Sequence, residues 1–168
     1  MTTHDEGIRH ARPYTWRCAT WLKYVITIAS AIAVGVVGTV AHRMGAASGW
    51  PYGMVLAWLL VALSGYCARA RSGGLGLAVH LTVSTFVVYL MAMPGPGGDA
   101  MVPIGFHSDS LPWTSQMAGY LWIFGMLAIQ LVEFVLPRAW FAIPAGAKGG
   151  KDAKDTAKPR AAAAGKRA

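Results

Sequence analysis

The chain has few charged residues. Of its 168 residues 13% are charged, whereas 55% are apolar, and the mean hydropathy is +0.42. Soluble domains are about a quarter charged. Each of four uncharged stretches is long enough for a transmembrane helix of roughly 17 to 25 residues. They lie between Lys23 and Arg43, Arg43 and Arg69, Arg71 and Asp99, and Asp109 and Glu133. The composition excludes a soluble enzyme and a disulfide-stapled secreted domain.

Cysteine and histidine are also scarce, which argues against two kinds of redox centre. Cys18 and Cys67 form no C-x-x-C pair, so the chain lacks the reactive centre of a disulfide-forming membrane protein. A membrane b-type cytochrome needs two imidazoles at one depth. His42 and His80 are expected roughly 20 Å apart in depth, since each helical residue rises 1.5 Å. No cofactor is therefore expected.

The sequence also lacks recognisable catalytic motifs. No H-E-x-x-H, no G-x-S-x-G and no paired intramembrane aspartates occur. Asp99, His107 and Asp109 share the segment 94–115, but three ligands without a fixed backbone are weak grounds for a metal site. We therefore predict neither a catalytic nor a metal site, and a protein that is not an enzyme.

Four apolar runs are predicted to be transmembrane helices, which gives an all-α polytopic membrane protein. They cover residues 24–41, 51–67, 75–93 and 116–136. In lipid every backbone polar group must be paired within the chain, and helices achieve this. The predicted organisation is a cytoplasmic segment 1–23, a transmembrane domain 24–141 and a tail 145–168.

The basic residues predict the orientation. Of the 15 Lys and Arg residues, 14 lie in the N-terminal segment, in the second connection or after the fourth span, and only Arg43 lies in another connection. Lys and Arg are enriched in cytoplasmic loops. We therefore expect both termini in the cytoplasm, residues 42–50 and 94–115 outside, and the protein in the plasma membrane.

The tail 145–168 has no large apolar side chain and is predicted to be disordered, because it cannot bury enough surface to fold. It carries seven basic and two acidic residues, so an anionic inner leaflet should attract it. The alternative is a solvated tail that only reinforces the topology. Nucleic-acid binding is not expected, since the chain shows neither a suitable fold nor aromatic residues between the basic ones.

A group of polar residues within the predicted spans is the candidate site. His80 and Ser84 lie one helical turn apart in the third span, and Gln130 and Glu133 lie in the fourth. Because these two spans are antiparallel, His80, Gln130 and Glu133 are expected in the cytoplasmic third of the bilayer. Ionisable residues there are costly and often functional.

Two interpretations of this group stay open. The first is a proton or cation site formed by Glu133 and His80, with Gln130 and Ser84 as further ligands. The second is a polar clasp between helices, since interhelical hydrogen bonds are common in membrane bundles. In the second interpretation Glu133 can instead reach the interface near Arg69, Arg71 or Arg138.

Small residues form stripes on the first two spans and predict close helix packing. One stripe comprises Ala29, Ala33 and Val37, another Ala31, Gly35 and Gly38, and the second span offers Gly53, Ala57 and Gly65. The connection 94–115 carries several apolar residues, including Val102 and Phe106. We expect it to lie on the interface or to fold over the helix ends.

Several short motifs carry a resemblance to a known family. They are Trp50-Pro51-Tyr52-Gly53, Arg69 and Arg71, the run Pro94 to Val102, Gly119-Tyr120 with Trp122 and Gly125, and Leu136-Pro137. With these the chain resembles an uncharacterised family of small four-span membrane proteins of actinobacteria, over roughly residues 24–141. The resemblance implies a location and a fold, but no catalytic residues.

Two functions are therefore carried forward. The first is a non-catalytic accessory or interaction subunit of a membrane complex, with a membrane-protein partner or a second copy of the chain. The alternative is a small transporter or channel subunit that uses Glu133 and His80.

Overall fold

The computed structural model describes residues 19–141, and this part of the chain is helical with no strand. Its helices are α1 (Thr20–Ala41), α2 (Tyr52–Ala92) and α3 (Trp113–Val135). Short 3-10 turns follow α1 at Ala46–Ser48 and α3 at Arg138–Phe141. The three helices are each long and apolar enough to cross a membrane. The all-α membrane class is thus confirmed in outline, while the tail 145–168 lies outside the described residues.

Helix α2 is a hairpin of two antiparallel arms. Gly73 has φ 67° and ψ −155°, a conformation that only glycine adopts readily, and it separates arm a (residues 52–72) from arm b (residues 74–92). The hydroxyl of Ser64 lies 2.8 Å from Nε2 of His80. In a straight helix these residues would be about 24 Å apart. The chain therefore reverses at Gly73.

This hairpin differs from the predicted boundaries. We expected a connection over residues 68–74, but helical geometry continues up to Gly73 and resumes directly after it. Helices α1 and α3 also begin earlier than the predicted residues 24 and 116, at Thr20 and Trp113. Hydropathy marks only the apolar part of a helix, so helical turns that carry Lys23 or Arg71 fall outside the predicted spans.

The bundle buries polar groups and also exposes many large apolar side chains on its outside. Leu63 is 64% exposed and Phe124 is 65% exposed, whereas His80 and Gln130 are completely buried. Exposed apolar area on this scale marks a surface that meets another apolar phase. This distribution fits a lipid environment.

Small residues lie where the helices cross. A Cβ atom on Gly35 would lie 3.0 Å from side-chain atoms of Val87. A Cβ atom on Gly65 would overlap the Glu133 carboxylate. The stripe of Ala31, Gly35 and Gly38 is buried, whereas Ala29 and Ala33 are exposed. The small residues thus support packing within the bundle, as expected, but one stripe of α1 faces outward.

The connection between α2 and α3 folds over the end of the bundle. Val102 is only 2% exposed and belongs to the hydrophobic core. A Cβ atom on Gly119 would lie 2.5 Å from the carbonyl oxygen of Pro103, so glycine permits this close approach. The hydroxyl of Thr114 donates to the carbonyl of Ala46 at 2.8 Å, which ties the start of α3 to the first connection.

Candidate functional site

Three of the four predicted site residues form one hydrogen-bonded layer with Ser64, which sequence reasoning missed. Nδ1 of His80 lies 2.8 Å from Oε1 of Gln130, and Nε2 of Gln130 lies 3.3 Å from the hydroxyl of Ser84. On the other side of the ring, Nε2 of His80 lies 2.8 Å from the Ser64 hydroxyl. This polar layer joins both arms of α2 to α3.

A single neutral tautomer of His80 satisfies every contact in the layer. An amide oxygen can only accept, so Nδ1 of His80 donates to Gln130, and Nε2 then accepts from the Ser64 hydroxyl. The Gln130 amide donates to Ser84, whose hydroxyl donates to the backbone carbonyl of Leu81 at 3.3 Å. The donor chain ends on a carbonyl inside a helix.

An apolar layer closes the bundle one helical turn further toward the end where α3 begins. It consists of Val61, Val88 and Met126, which lie three or four residues from Ser64, Ser84 and Gln130 on their own helices. Each is at most 2% exposed and belongs to the core. Packed apolar side chains leave no room for a column of water.

Glu133, the fourth predicted residue, lies outside this layer. Among the described residues no hydrogen bond joins it to His80; its carboxylate packs against the backbone of Gly65 on arm a. Glu133 is 7% exposed, and its Oε2 atom has no hydrogen-bond partner among the described residues. Arg69 is the charged residue near Glu133. Among residues 19–141 these two side chains form no ion pair.

Two groups of arm a hold the segment that follows α3. Nη2 of Arg69 donates to the carbonyl of Leu136 at 2.9 Å, and its guanidinium lies 4.1 Å from the centre of the Phe141 ring. The hydroxyl of Tyr66 donates to the carbonyl of Trp140 at 2.8 Å. Cationic groups favour the C-terminal end of a helix, where carbonyls are unpaired. Arg69 therefore acts as a cap for α3.

Arg71 also contacts a neighbouring helix, on the opposite side of the hairpin. Its Nη2 atom lies 3.5 Å from the hydroxyl of Thr27, which is completely buried in α1. The two arginines of the hairpin end thus contact two different helices. Glu133 lies near Arg69, and this position agrees with the interpretation in which Glu133 reaches the arginines at this end of the bundle.

A second buried polar cluster lies at the other end of the bundle. The indole of Trp122 donates to the hydroxyl of Thr39 at 3.2 Å. Nδ1 of His42 contacts the backbone carbonyl of Thr39. The rings of His42 and Trp122 stack with centroids 6.0 Å apart. Sequence reasoning missed this cluster, although Gly38 marks it, since a Cβ atom there would overlap the Trp122 ring.

Among the residues that the structure describes, the remaining candidates do not assemble into a metal site. Residues 19–141 contain no group of three His, Cys, Asp or Glu that could hold a metal ion. Nε2 of His107 lies 3.6 Å from Oδ1 of Asp109 on the surface. Cys67 is exposed, and Cys18 lies outside the described residues.

Comparison of the chain with protein-family models, curated proteins and solved structures finds no match. The resemblance to small four-span actinobacterial proteins therefore stays a prediction from the sequence.

Proposed function

We propose that the chain is an integral plasma-membrane protein that crosses the bilayer four times with both termini in the cytoplasm. The two arms of α2, residues 52–72 and 74–92, would each span about 30 Å, which matches the hydrocarbon thickness. The distribution of Lys and Arg supports this orientation. The hairpin end with Arg69 and Arg71 then faces the cytoplasm.

Within this topology the proposed function is that of a non-catalytic accessory or interaction subunit of a membrane complex. The observation that carries this proposal is the closed polar layer of Ser64, His80, Ser84 and Gln130. Its hydrogen bonds run within the layer and end on the Leu81 carbonyl, and a core of apolar residues lies directly beyond it. A layer of this kind holds helices together, whereas a transport site needs access to water.

The outer faces of the helices supply the surface for association. Large apolar side chains on α1, on both arms of α2 and on α3 are exposed, and they can meet either lipid or another membrane protein. The basic tail 145–168 adds an attraction to anionic lipids of the inner leaflet. A membrane-protein partner or a second copy of this chain is therefore proposed, with membrane lipids as further partners.

The mass of the assembly purified in a mild detergent tests this proposal. We expect the full chain to leave a native membrane in a complex of fixed stoichiometry, with another membrane protein or with itself. Native mass spectrometry measures that stoichiometry, and His80→Ala should weaken the complex because it loosens the bundle. His107→Ala, on the exposed connection, is the matched control. A monomeric chain in every detergent and lipid tested would contradict the proposal.

One observation favours the alternative of a small transporter or channel subunit. Glu133 is a buried ionisable residue within a span, and its Oε2 atom has no partner among the described residues. Such residues often mark ion pathways. In this alternative Glu133→Gln removes the activity while the complex stays intact. If neither Glu133→Gln nor His80→Ala changes the complex or the cell's phenotype, both the transport and the clasp roles are lost.

A further inference from the structure

Two opposite charges are buried at the hairpin end of the bundle, and each leaves one atom without a hydrogen-bond partner. Glu133 is 7% exposed and Arg69 is 8% exposed. Oε2 of Glu133 and Nη1 of Arg69 have no partner among the described residues. Burial of an unpaired charged group is costly, so each of these two atoms requires a partner that the neighbouring side chains do not provide.

The two charged groups lie about one helical turn apart on facing helices. The carboxylate of Glu133 packs against Gly65, which comes four residues before Arg69 on arm a. Nη2 of Arg69 binds the carbonyl of Leu136, which comes three residues after Glu133 in the chain. One turn of a helix rises about 5.4 Å. The separation along the bundle is therefore on the order of 5 Å.

This separation is close enough for an electrostatic interaction but too long for a direct contact. The positive charge of Arg69 acts on the carboxylate of Glu133. Within residues 19–141, however, the two side chains form no ion pair, which would require a distance of about 4 Å or less. A polar interaction over a longer distance than this is commonly carried by a bridging water molecule.

One water molecule matches both the separation and the chemistry of these atoms. Two hydrogen bonds of about 2.8 Å through a single water join groups up to about 5.6 Å apart. Water can donate to the carboxylate oxygen and accept from the guanidinium at the same time. An ion is a poorer match, since a cation would be repelled by Arg69 and an anion by Glu133.

From this geometry we propose that a buried water molecule joins Oε2 of Glu133 to Nη1 of Arg69 and makes these residues a second interhelical clasp. Arg69 then holds α3 at two points, directly at the Leu136 carbonyl and through water at Glu133. A water bridge is nearly as favourable in enthalpy as a direct hydrogen bond. Glu133 thus serves as the counter-ion of the arginine that caps α3. This assignment requires neither a protein partner nor the proposed orientation.

Radiolytic footprinting of the full chain in nanodiscs tests the water site. A short X-ray pulse converts water to hydroxyl radicals, which oxidise the side chains beside a bound water, and mass spectrometry locates the oxidation. The Phe141 ring lies 4.1 Å from the Arg69 guanidinium and is 6% exposed, so it reports on this site and is shielded from bulk water. Met126, completely buried in the apolar layer, is the reference. We expect faster oxidation of Phe141, although the sulfur of methionine is intrinsically more reactive.

Two variants at one position make the test decisive. Glu133→Leu removes the acceptor and should abolish the oxidation of Phe141. Glu133→Gln is the matched control, because its amide oxygen still accepts from water, and it should keep the oxidation. Phe141 oxidised no faster than Met126 would indicate a direct ion pair or a dry contact and would overturn the proposal. Oxidation that survives Glu133→Leu would show that bulk water reaches Phe141, and would overturn it as well. The stoichiometry of the complex does not enter this test, so this inference and the proposed function can fail separately.

Discussion

Nδ1 of His80 donates to Oε1 of Gln130 across 2.8 Å in the completely buried centre of the bundle. This bond joins arm b of the hairpin to α3, and Ser64 extends it to arm a. Neither side chain can turn to water without opening the bundle. The pair therefore accounts for the presence of two strongly polar residues in an apolar core.

Removal of either partner should destabilise the bundle. We expect Gln130→Ala to lower the free energy of unfolding by about 1–3 kcal/mol, because it leaves Nδ1 of His80 buried and unpaired. The midpoint of thermal unfolding in detergent should fall by about 2–4 °C per kcal/mol. His107→Ala, which changes an exposed histidine, should leave it unchanged.

The coupling of the two residues is a separate prediction. In a double-mutant cycle with His80→Ala and Gln130→Ala, we expect a coupling free energy of about 0.6 kcal/mol or more, as measured for interhelical hydrogen bonds in membrane proteins. Purely additive losses would mean that the two side chains do not interact in the folded protein.

A side chain at position 65 requires the Glu133 carboxylate to move. A Cβ atom there would overlap Oε2 of Glu133, which is the far end of a flexible side chain, so Gly65→Ala should destabilise the bundle by up to about 1 kcal/mol. Shortening the partner with Glu133→Ala should restore part of this loss. Gly74→Ala is the matched control, since no atom lies within 4 Å of a Cβ there, and the change should be neutral or stabilising by up to about 1 kcal/mol.

The hairpin requires glycine at position 73. Its φ of 67° lies in the region that other residues avoid, so Gly73→Ala should destabilise the fold by about 1–3 kcal/mol although no neighbour is near. Comparison with Gly74→Ala by thermal unfolding isolates this backbone effect. Equal stability of the two variants would contradict the reversal of the chain at Gly73.

Arg69 should fix the segment after α3. Arg69→Met keeps much of the side chain's volume but loses the bond to the Leu136 carbonyl and the contact with Phe141. We expect faster proteolysis at Arg138, measured by limited digestion with trypsin and mass spectrometry. Arg43→Met should leave the rate unchanged, and an unchanged rate in Arg69→Met would show that Tyr66 alone anchors the segment.

Much of the polar layer could be predicted from the depth of each residue along its span. Antiparallel spans place His80 and Gln130 at one level, and the structure joins them. The helix rotation separates Glu133 from them, because three residues turn a side chain by about 60° around the axis and aim it at arm a. Ser64 was missed, although it and His80 lie nine and seven residues from Gly73 and so at similar depth in a hairpin.

Other features lay beyond the pattern of hydropathy. Two stripes of small residues on α1 were both predicted to pack closely, and packing against α2 and α3 selects Ala31, Gly35 and Gly38 as the buried one. The single-residue break at Gly73 could not be predicted from hydropathy either. Residues 68–74 contain no proline, and hydropathy alone does not distinguish a short loop from a helix that bends at one glycine.

Ion flux through reconstituted vesicles tests the structural role of the polar layer most directly. Wild-type protein and Glu133→Gln are incorporated into liposomes with an imposed proton or potassium gradient, and the decay of that gradient is followed with a pH-sensitive or potential-sensitive dye. A closed layer predicts that both decay at the rate of protein-free vesicles. Rapid decay with the wild type that Glu133→Gln abolishes would contradict the account and establish a transport pathway.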